Sequence, residues 1–365
     1  MILSTISISN VRNIKKIDVE LGNRFNVFYG ENGAGKSSIL EAIYLLSSGK
    51  SFRTHQIKKI ITHQESNILL FAKVIEAQDK ITNLGLSKST TGNEIRINGE
   101  TAKSISELAQ RLPVLVTTQD SHKLIDSGPQ WRRQFLDWGL FHVKHEFHDV
   151  WKNYKKILKQ RNAALAKSCT RDEVAIWDIT LATSGEDYNL LREGFIEQFK
   201  PYFIEFATYL LGENAYNLEY SKGWPKALSY AECLSSYFEK DSQSRRTEYG
   251  PHRADLRIMF NSQNSRDTAS RGQQKLLVYA LNLAQIAYLQ DEKNIKTLML
   301  LDDLGSELDS GHANKLLSLL RDRFSQVCIT TANLETLPLE NYEDIKLFHV
   351  EHGEITNVTN KLVEL

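Results

Sequence analysis

Two hydrophobic patterns alternate along the chain, and their order predicts its architecture. Near the start, Ile2, Ile6 and Ile8 are separated mostly by polar residues, as in a half-buried strand. Residues 25–29, FNVFY, form an apolar run that leads into a glycine-rich turn and then into a helical stretch at residues 38–47. Further strands are predicted at residues 67–76, 80–87, 94–97, 113–117, 255–260, 296–301 and 326–330.

A segment with a helical pattern interrupts these strands. From about residue 128 to residue 240, β-branched runs are few, and apolar residues between Trp151 and Leu165 repeat at helical spacing. A sequence that changes from strands to helices and back predicts a discontinuous α/β lobe with an insertion. We expect lobe I at residues 1–120 and 245–365, and a helical lobe II at residues 121–244.

Composition narrows the classes of function. The chain has 365 residues, of which 41% are hydrophobic and 25% charged, as in a typical globular protein. Lys and Arg number 45, as do Asp and Glu, so any contact with nucleic acid needs a local basic patch. No apolar run reaches the ~18 residues of a membrane span. The separated Cys169, Cys233 and Cys328 indicate a reduced, cytoplasmic protein without a zinc site.

The segment after the 25–29 strand carries the strongest chemical signal. Residues 30–37, GENGAGKS, fit GxxxxGK[ST], the Walker A pattern. The glycines let backbone N–H groups approach phosphate oxygens, and the following helix adds its positive end. We expect Lys36 to contact the β- and γ-phosphates of ATP and Ser37 to ligate Mg²⁺. The predicted nucleotide contacts here are Gly30, Glu31, Asn32, Gly33, Ala34, Gly35, Lys36, Ser37 and Ser38.

Two further segments supply candidates for hydrolysis. Residues 297–301, TLMLL, form an apolar run that ends at Asp302 and Asp303, as in a Walker B motif. We expect Asp302 to hold Mg²⁺ and Asp303 to polarise the attacking water. Upstream, SRGQQ begins at Ser270 before a long helix, and its hydroxyl with the Gly272 N–H suits an anion. A plain helix cap is the alternative for this segment.

The order of these motifs resembles that of a known superfamily. GENGAGKS, SRGQQK, TLMLLDD and the SELD of residues 306–309 stand where ABC ATPases have Walker A, signature, Walker B and D-loop. Within that superfamily the chain is similar to the head domains of SMC, Rad50 and RecF proteins. Four stretches narrow the resemblance to the RecF family: residues 8–47, SFRTHQ at 51–56, WRRQFLDWGLFH at 131–142 and TEYGPHRADL at 247–256.

The resemblance implies a fold and a function. The fold is an ABC/SMC-head-like P-loop ATPase lobe with an inserted, mainly helical lobe. The function is a DNA-binding recombination mediator in gap repair, with weak DNA-stimulated ATPase activity, ATP-dependent homodimerisation and partners of the RecR and RecO types. In such dimers one subunit's Walker A and the other's signature enclose the nucleotide. Ser270, Gly272 and Gln273 are therefore expected to act in trans, with Ser270 counted among the catalytic residues beside Lys36 and Asp303.

The sequence departs from the general ABC pattern at three points. Asp303 stands where many ABC ATPases have Glu, and residues 330–333, TTAN, replace the usual switch histidine. The Q-loop glutamine has only a loosely matching candidate, Gln119. Hydrolysis and γ-phosphate sensing are the steps that these departures affect.

Two basic sets are candidates for DNA contact, because lysines and arginines neutralise phosphates without reading sequence. A solvated surface is the alternative for each set. One set follows the helical stripe: Lys152, Lys155, Lys156 and Lys159. The other combines the N-terminal region with the segment after the first helix: Arg12, Lys15, Lys16 and Arg53.

Three other functions fit parts of the sequence. A transporter nucleotide-binding domain is disfavoured by the long separation of Lys36 from Asp302 and by the missing histidine. An SMC-like structural head needs coiled-coil arms, and the chain has no sustained heptads. A nucleotide-gated scaffold that does not turn over stays open, because binding and hydrolysis use nearly the same residues.

Overall fold

The computed structural model describes residues 1–167, 170–212, 215–323, 326–339, 342 and 344–361; Cys169 lies outside them. The strands are β1 (Ile2–Val11), β2 (Ile14–Glu20), β3 (Phe25–Tyr29), β4 (Asn67–Ile75), β5 (Ile81–Ser89), β6 (Asn93–Ile97), β7 (Glu100–Thr101), β8 (Val114–Thr117), β9 (Tyr216–Ser221), β10 (Asp255–Phe260), β11 (Gln263–Asn264), β12 (Leu298–Leu301), β13 (Gln326–Thr331), β14 (Ile345–Glu351) and β15 (Glu354–Lys361). The helices are α1 (Lys36–Ser48), α2 (Ile105–Arg111), α3 (Lys123–Asp126), α4 (Pro129–Val143), α5 (Phe147–Ala166), α6 (Arg171–Leu211), α7 (Tyr230–Ser236), α8 (Phe238–Ser244), α9 (Ser265–Thr268), α10 (Arg271–Lys293), α11 (Leu304–Glu307) and α12 (Ser310–Arg323).

The chain forms two compact units, one from Met1–Ser121 with Ile286–Leu365 (unit 1) and one from His122–Gln285 (unit 2). Residues 245–285, which the sequence analysis grouped with lobe I, belong to unit 2 in this division. The reason is strand pairing, because β10 pairs with β9 along its whole length. The functional division into lobes I and II stays a prediction.

Unit 1 contains two six-stranded sheets among its described residues. One has the order β15-β14-β3-β13-β12-β8 and is parallel except for β15. Its apolar runs, such as LMLL in β12, are buried, as expected for parallel strands covered on both faces. The other sheet, β2-β1-β4-β5-β6-β7, is antiparallel and mostly alternates buried with exposed positions. The α/β fold class expected from the sequence is confirmed.

Unit 2 is mainly helical, with a small antiparallel sheet in the order β11-β10-β9. Its longest helix, α6, has 41 residues and begins with a capping box in which Thr170 and Glu173 bond reciprocally. Buried Phe195, Phe199 and Phe203 recur on one face of α6 at intervals of four residues and supply much of the core. Among the described helices, none combines the length and the hydropathy that a bilayer crossing requires.

Candidate nucleotide-binding site

The turn between β3 and α1 has a backbone that glycine adopts most readily. Gly30, Gly33 and Gly35 have φ angles of 142°, 85° and 116°, where residues with a Cβ are rare. A Cβ on Gly30 would lie 2.2 Å from the Val350 carbonyl oxygen, so close packing also requires glycine there. The glycines of the Walker A pattern therefore set the shape of this loop. Its other residues are exposed Glu31 and Asn32 and buried Ala34.

Lys36 is the first residue of α1 and is only 8% exposed. Its Nζ donates to the Gly30 carbonyl at 2.6 Å and to the Glu31 carbonyl at 2.8 Å. Burial lowers the pKa of Lys36, while the nearby Asp303 and Asp302 carboxylates act in the opposite direction. An ammonium has three N–H donors, so the two loop carbonyls use only part of its capacity.

Ser37 and Asp302 are brought together although they are far apart in sequence. The Ser37 hydroxyl donates to Asp302 Oδ1 at 2.7 Å across 265 positions. Asp302 directly follows β12, and its N–H donates to the carbonyl of Thr117, the last residue of neighbouring β8, at 2.9 Å. Both side chains thus lie at the carboxyl edge of the parallel sheet, where α/β proteins place ligands.

Asp303 occupies the left-handed region, with φ 59°. Its Oδ2 accepts hydrogen bonds from Gln119 Nε2 at 3.1 Å and from the Ser306 hydroxyl at 2.6 Å. Gln119 follows β8, the parallel neighbour of β12, and this topology explains the contact. The structure therefore brings the Q-loop candidate and the D-loop serine to the second acidic residue.

Two residues that the sequence analysis did not assign also hold this site. Thr330, at 0% exposure, donates its hydroxyl to Asp302 Oδ1 at 2.8 Å and accepts from the Asp303 N–H at 2.8 Å. Asn13, in the β1–β2 turn, donates to the Ala34 carbonyl at 3.2 Å and accepts from the Ser38 hydroxyl at 3.3 Å. A polar residue late in an apolar strand was the available signal for Thr330, whereas Asn13 had none.

The signature candidates lie in unit 2, at the start of α10. The Ser270 hydroxyl accepts from the Gln273 N–H at 3.3 Å, and Gln273 Oε1 accepts from the Ser270 N–H at 2.9 Å. This reciprocal pair is a capping box. A Cβ added to Gly272 would meet nothing within 4 Å, and both Ser270 and Gly272 are exposed. The segment is a structured helix start with an open face, and its role toward nucleotide stays a prediction.

The N-terminal basic set is partly engaged inside unit 1. The Arg12 guanidinium forms a bidentate pair with buried Glu41 at 2.9 and 2.8 Å and donates to the Lys59 carbonyl at 2.6 Å. Arg53 lies 3.8 Å from the same carboxylate and is 48% exposed. Lys15 and Lys16, on β2, are exposed. Arg12 therefore has a structural partner, whereas the other three side chains are more accessible to solvent.

The second basic set lies on α5 of unit 2. Lys152, Lys155, Lys156 and Lys159 are all exposed, and the Lys155 ammonium lies 3.9 Å from the ring centroid of Trp151. Arg161, which also lies in this basic segment, is fully buried and belongs to an internal network. The accessible positive charge on α5 is therefore that of the four lysines.

The parallel sheet and the glycine loop at its carboxyl edge define a P-loop ATPase head of the ABC type. A family model described as the RecF/RecN/SMC N terminal domain matches residues 2–356. The chain belongs to this family and, within it, to the RecF proteins.

Relatives and solved structures agree over nearly the whole chain. The "DNA replication and repair protein RecF" of Hydrogenovibrio crunogenus is 38% identical over 351 residues, covering 95% of this chain and 97% of the relative. That of Haemophilus ducreyi is 40% identical, covering 97% and 99%. A structure of "the recombination mediator protein RecF-ATP in RecFOR pathway" has a TM-score of 0.88 at 26% identity, covering 98% and 97%. An SMC head with a TM-score of 0.60 at 16% identity shares the fold.

Proposed function

We propose that this chain is an ATP-dependent, DNA-binding recombination mediator that acts at gapped DNA. The observation that carries the proposal is the hydrogen bond between Ser37 and Asp302, which joins Walker A to Walker B within one unit of a RecF-family fold. The combination of that contact with a glycine loop at the carboxyl edge of a parallel sheet is typical of a triphosphate-binding site. The names of the full-length relatives support the DNA-repair role.

The donor set at this edge fits Mg²⁺. A hydroxyl from Ser37 and a carboxylate from Asp302 are hard oxygen ligands, and Mg²⁺ in nucleotide sites combines one or two such groups with phosphates and water. The described residues contain no group of three or more His, Cys, Asp and Glu side chains that suits a metal. A nucleotide-bound Mg²⁺ does not require such a group, because phosphates and water supply its other ligands. When bound, the ion supplies charge neutralisation to the β- and γ-phosphates.

The chain's own residues divide the remaining work. The Lys36 ammonium binds phosphate oxygens, and the loop N–H groups of residues 30–37 add neutral donors. Asp303 accepts a hydrogen bond from the attacking water and orients it toward the γ-phosphorus. Gln119 and Ser306 both donate to Asp303 Oδ2 and so hold the carboxylate in place, which supports this role. Aspartate is one methylene shorter than glutamate, so we expect slow turnover of ATP. We also expect DNA to stimulate this turnover.

The signature segment completes the site in a second subunit. We place Ser270, Gly272 and Gln273 against the phosphates bound by the partner's Walker A loop, so that ATP drives homodimerisation. The exposed helix start at Ser270 supports this assignment, because N–H groups there favour an anion. We also propose that the protein acts at the bacterial nucleoid together with partners of the RecR and RecO types.

Nucleotide binding and hydrolysis test the proposal together. We expect Lys36→Met to weaken ATP binding at least ~100-fold, because an apolar side chain replaces the phosphate-binding cation. Asp303→Asn should bind ATP normally, hydrolyse it ~100-fold more slowly and accumulate as a nucleotide-bound dimer in sedimentation experiments. Asp302→Ala is the matched control, since it should weaken Mg²⁺ and nucleotide binding instead.

Two outcomes contradict the proposal at different points. Normal ATP binding by Lys36→Met would remove the site assignment. An Asp303→Asn protein that stays monomeric at saturating ATP would remove the two-subunit arrangement. Absence of phosphate release from the unaltered protein, with and without gapped DNA, would favour the nucleotide-gated scaffold that does not turn over.

A further inference from the structure

The loop at residues 247–255 in unit 2 is held by side chains from five helices. Each of these contacts is a hydrogen bond with a loop group, and five of them involve the loop backbone. Arg133 donates to the Ala254 carbonyl at 2.9 Å, and Arg192 donates to the Pro251 carbonyl at 2.7 Å. The other contacts are Arg132 with Asp255, Tyr154 with His252, Arg161 and Asn162 with Thr247, Tyr230 with the Tyr249 carbonyl, and Asp241 with the Glu248 N–H.

Steric constraints also fix the centre of this loop. Gly250 has φ 135°, and a Cβ there would lie 2.1 Å from the Tyr230 hydroxyl oxygen. Buried hydrogen bonds from several helices favour one arrangement of such a loop. A loop that is supported this heavily and exposes Arg253 is typical of a scaffold that presents functional side chains.

The loop and the residue before it present arginines to solvent. The side chain of Arg246 is 61% exposed and that of Arg253 is 41% exposed. Both contact one carboxylate, that of Glu248, at 2.5 and 3.2 Å. Two guanidiniums share one acid, so the cluster keeps a net positive charge and unused N–H donors. Such forked donors match the oxygens of phosphate groups.

The lysines of α5 continue this positive surface. Asn162 of α5 bonds the Thr247 N–H and hydroxyl, each at 2.8 Å, and so marks the α5 face that meets the loop. Lys159 and Lys155 precede Asn162 by three and seven residues and therefore share its face. The acidic side chains at this junction are Asp178 and Asp241, which both pair with buried Arg161, and Glu248.

We propose that Arg246 and Arg253, together with Lys155 and Lys159, form a track that binds the phosphodiester backbone of DNA. The inference rests on the proposed DNA-binding function and assigns it to the 247–255 loop as well as to α5. In the absence of DNA, Glu248 holds both guanidiniums in place, and phosphate oxygens replace its carboxylate when DNA binds. Contacts of this kind fix orientation and carry no sequence information.

Anisotropy of a fluorescein-labelled gapped duplex over a salt series, with ATP and Mg²⁺, tests the track. Relative to unaltered protein, Arg246→Gln with Arg253→Gln should reduce the magnitude of the log–log salt slope by roughly 1.4 to 1.8, because each backbone contact contributes about 0.7–0.9. The matched control is Lys226→Gln with Arg257→Gln, which removes the same charge from exposed sites of unit 2 and should keep the slope.

Glu248→Gln separates a binding role from a structural one. Removing the shared acid frees both arginines, so DNA affinity should rise a few-fold. If Glu248 serves only to hold the loop, the same change should weaken DNA binding. ATP binding should be unchanged in each variant, since these residues lie outside the nucleotide motifs.

The outcomes separate the track from the proposed function. A double arginine variant with the slope and affinity of its control would overturn the track and leave the proposed function standing. An unaltered protein that binds no DNA would overturn both. A fall in slope in the arginine variant, with tighter binding by Glu248→Gln, would establish the track.

Discussion

The loop at residues 30–37 and the loop at residues 247–255 are both firmly held, but by different kinds of interaction. The first takes its shape mainly from its own glycines, Gly30, Gly33 and Gly35, at positive φ. The second is held by side chains up to 123 positions away, as in the pair between Arg132 and Asp255. One loop is thus specified locally and the other by the packing of unit 2.

The difference predicts where substitutions take effect. Around the phosphate loop, the polar contacts join functional groups to one another, so their loss should change nucleotide chemistry before stability. Around the 247–255 loop, the contacts are buried charges and hydrogen bonds inside a helical core, so their loss should unfold unit 2. Three experiments examine this contrast.

Arg161→Met should have the largest effect. Arg161 is fully buried, and it donates to Asp241 at 2.6 Å, to Asp178 at 2.7 Å and to the Thr247 hydroxyl at 2.8 Å. Removing it leaves the Asp241 carboxylate buried without its partner, which costs about 3–5 kcal/mol. All five tryptophans lie in unit 2, so their fluorescence during urea unfolding reports on this unit.

The control for this experiment is Arg171→Met on the same unit. Arg171 is exposed, donates to the Ser235 hydroxyl and carbonyl, and lies 5.6 Å from the centroid of the Phe238 ring. Its loss should cost less than ~1 kcal/mol. Equal destabilisation by the two changes would show that the network around the 247–255 loop contributes no more to the stability of unit 2 than an exposed arginine does.

Predictability from sequence follows the same contrast. The Walker A loop, Asp302 and Asp303 were accessible because each lies in a short local pattern next to an apolar strand. The contacts that Arg161 and Arg192 make with the 247–255 loop were not predictable. No sequence pattern distinguishes a buried arginine that pairs with a distant acid from a solvated arginine. The strands that were predicted lie within about two residues of those observed, but β2, β9, β14 and β15 were not predicted. The assignment of residues 245–285 depended on pairing between β9 and β10.

Thr330→Val should have a smaller effect, and this effect should be on ATP hydrolysis rather than on stability. The change keeps the shape but removes the hydroxyl that links Asp302 Oδ1 to the Asp303 N–H. Loss of such an outer contact typically costs ~10–100-fold in activity or metal affinity. We expect kcat to fall within this range and half-saturating Mg²⁺ to rise. Thr330→Ser keeps the hydroxyl and should restore most activity.

Thr331→Val provides the matched control on the same strand. The Thr331 hydroxyl is also buried, but it donates to the Asn333 carbonyl at 2.9 Å and touches neither acid. This change should leave kcat within a few-fold of the unaltered protein. Equal losses of activity in the two valine variants would assign the effect to strand packing.

The smallest effect should be a pH dependence from His252 in the 247–255 loop. Its Nε2–H donates to the Thr247 carbonyl at 2.9 Å, so Nδ1 is the acceptor for the Tyr154 hydroxyl at 2.7 Å. Burial lowers the pKa of His252 from 6.5 to about 4. The folded state therefore binds fewer protons than the unfolded state between these values, and stability falls as the pH drops from 6.5 toward 4.

At one pH unit below the unfolded pKa, this loss is about 1.2 kcal/mol relative to pH 7. Urea unfolding followed by tryptophan fluorescence at both pH values should show the loss, and His252→Gln should reduce it by that amount. His142, whose pKa burial lowers to about 3, titrates with the same sign and stays in both proteins, so the difference isolates His252. An identical pH dependence in the two proteins would mean that the loop keeps its hydrogen bonds when His252 is protonated.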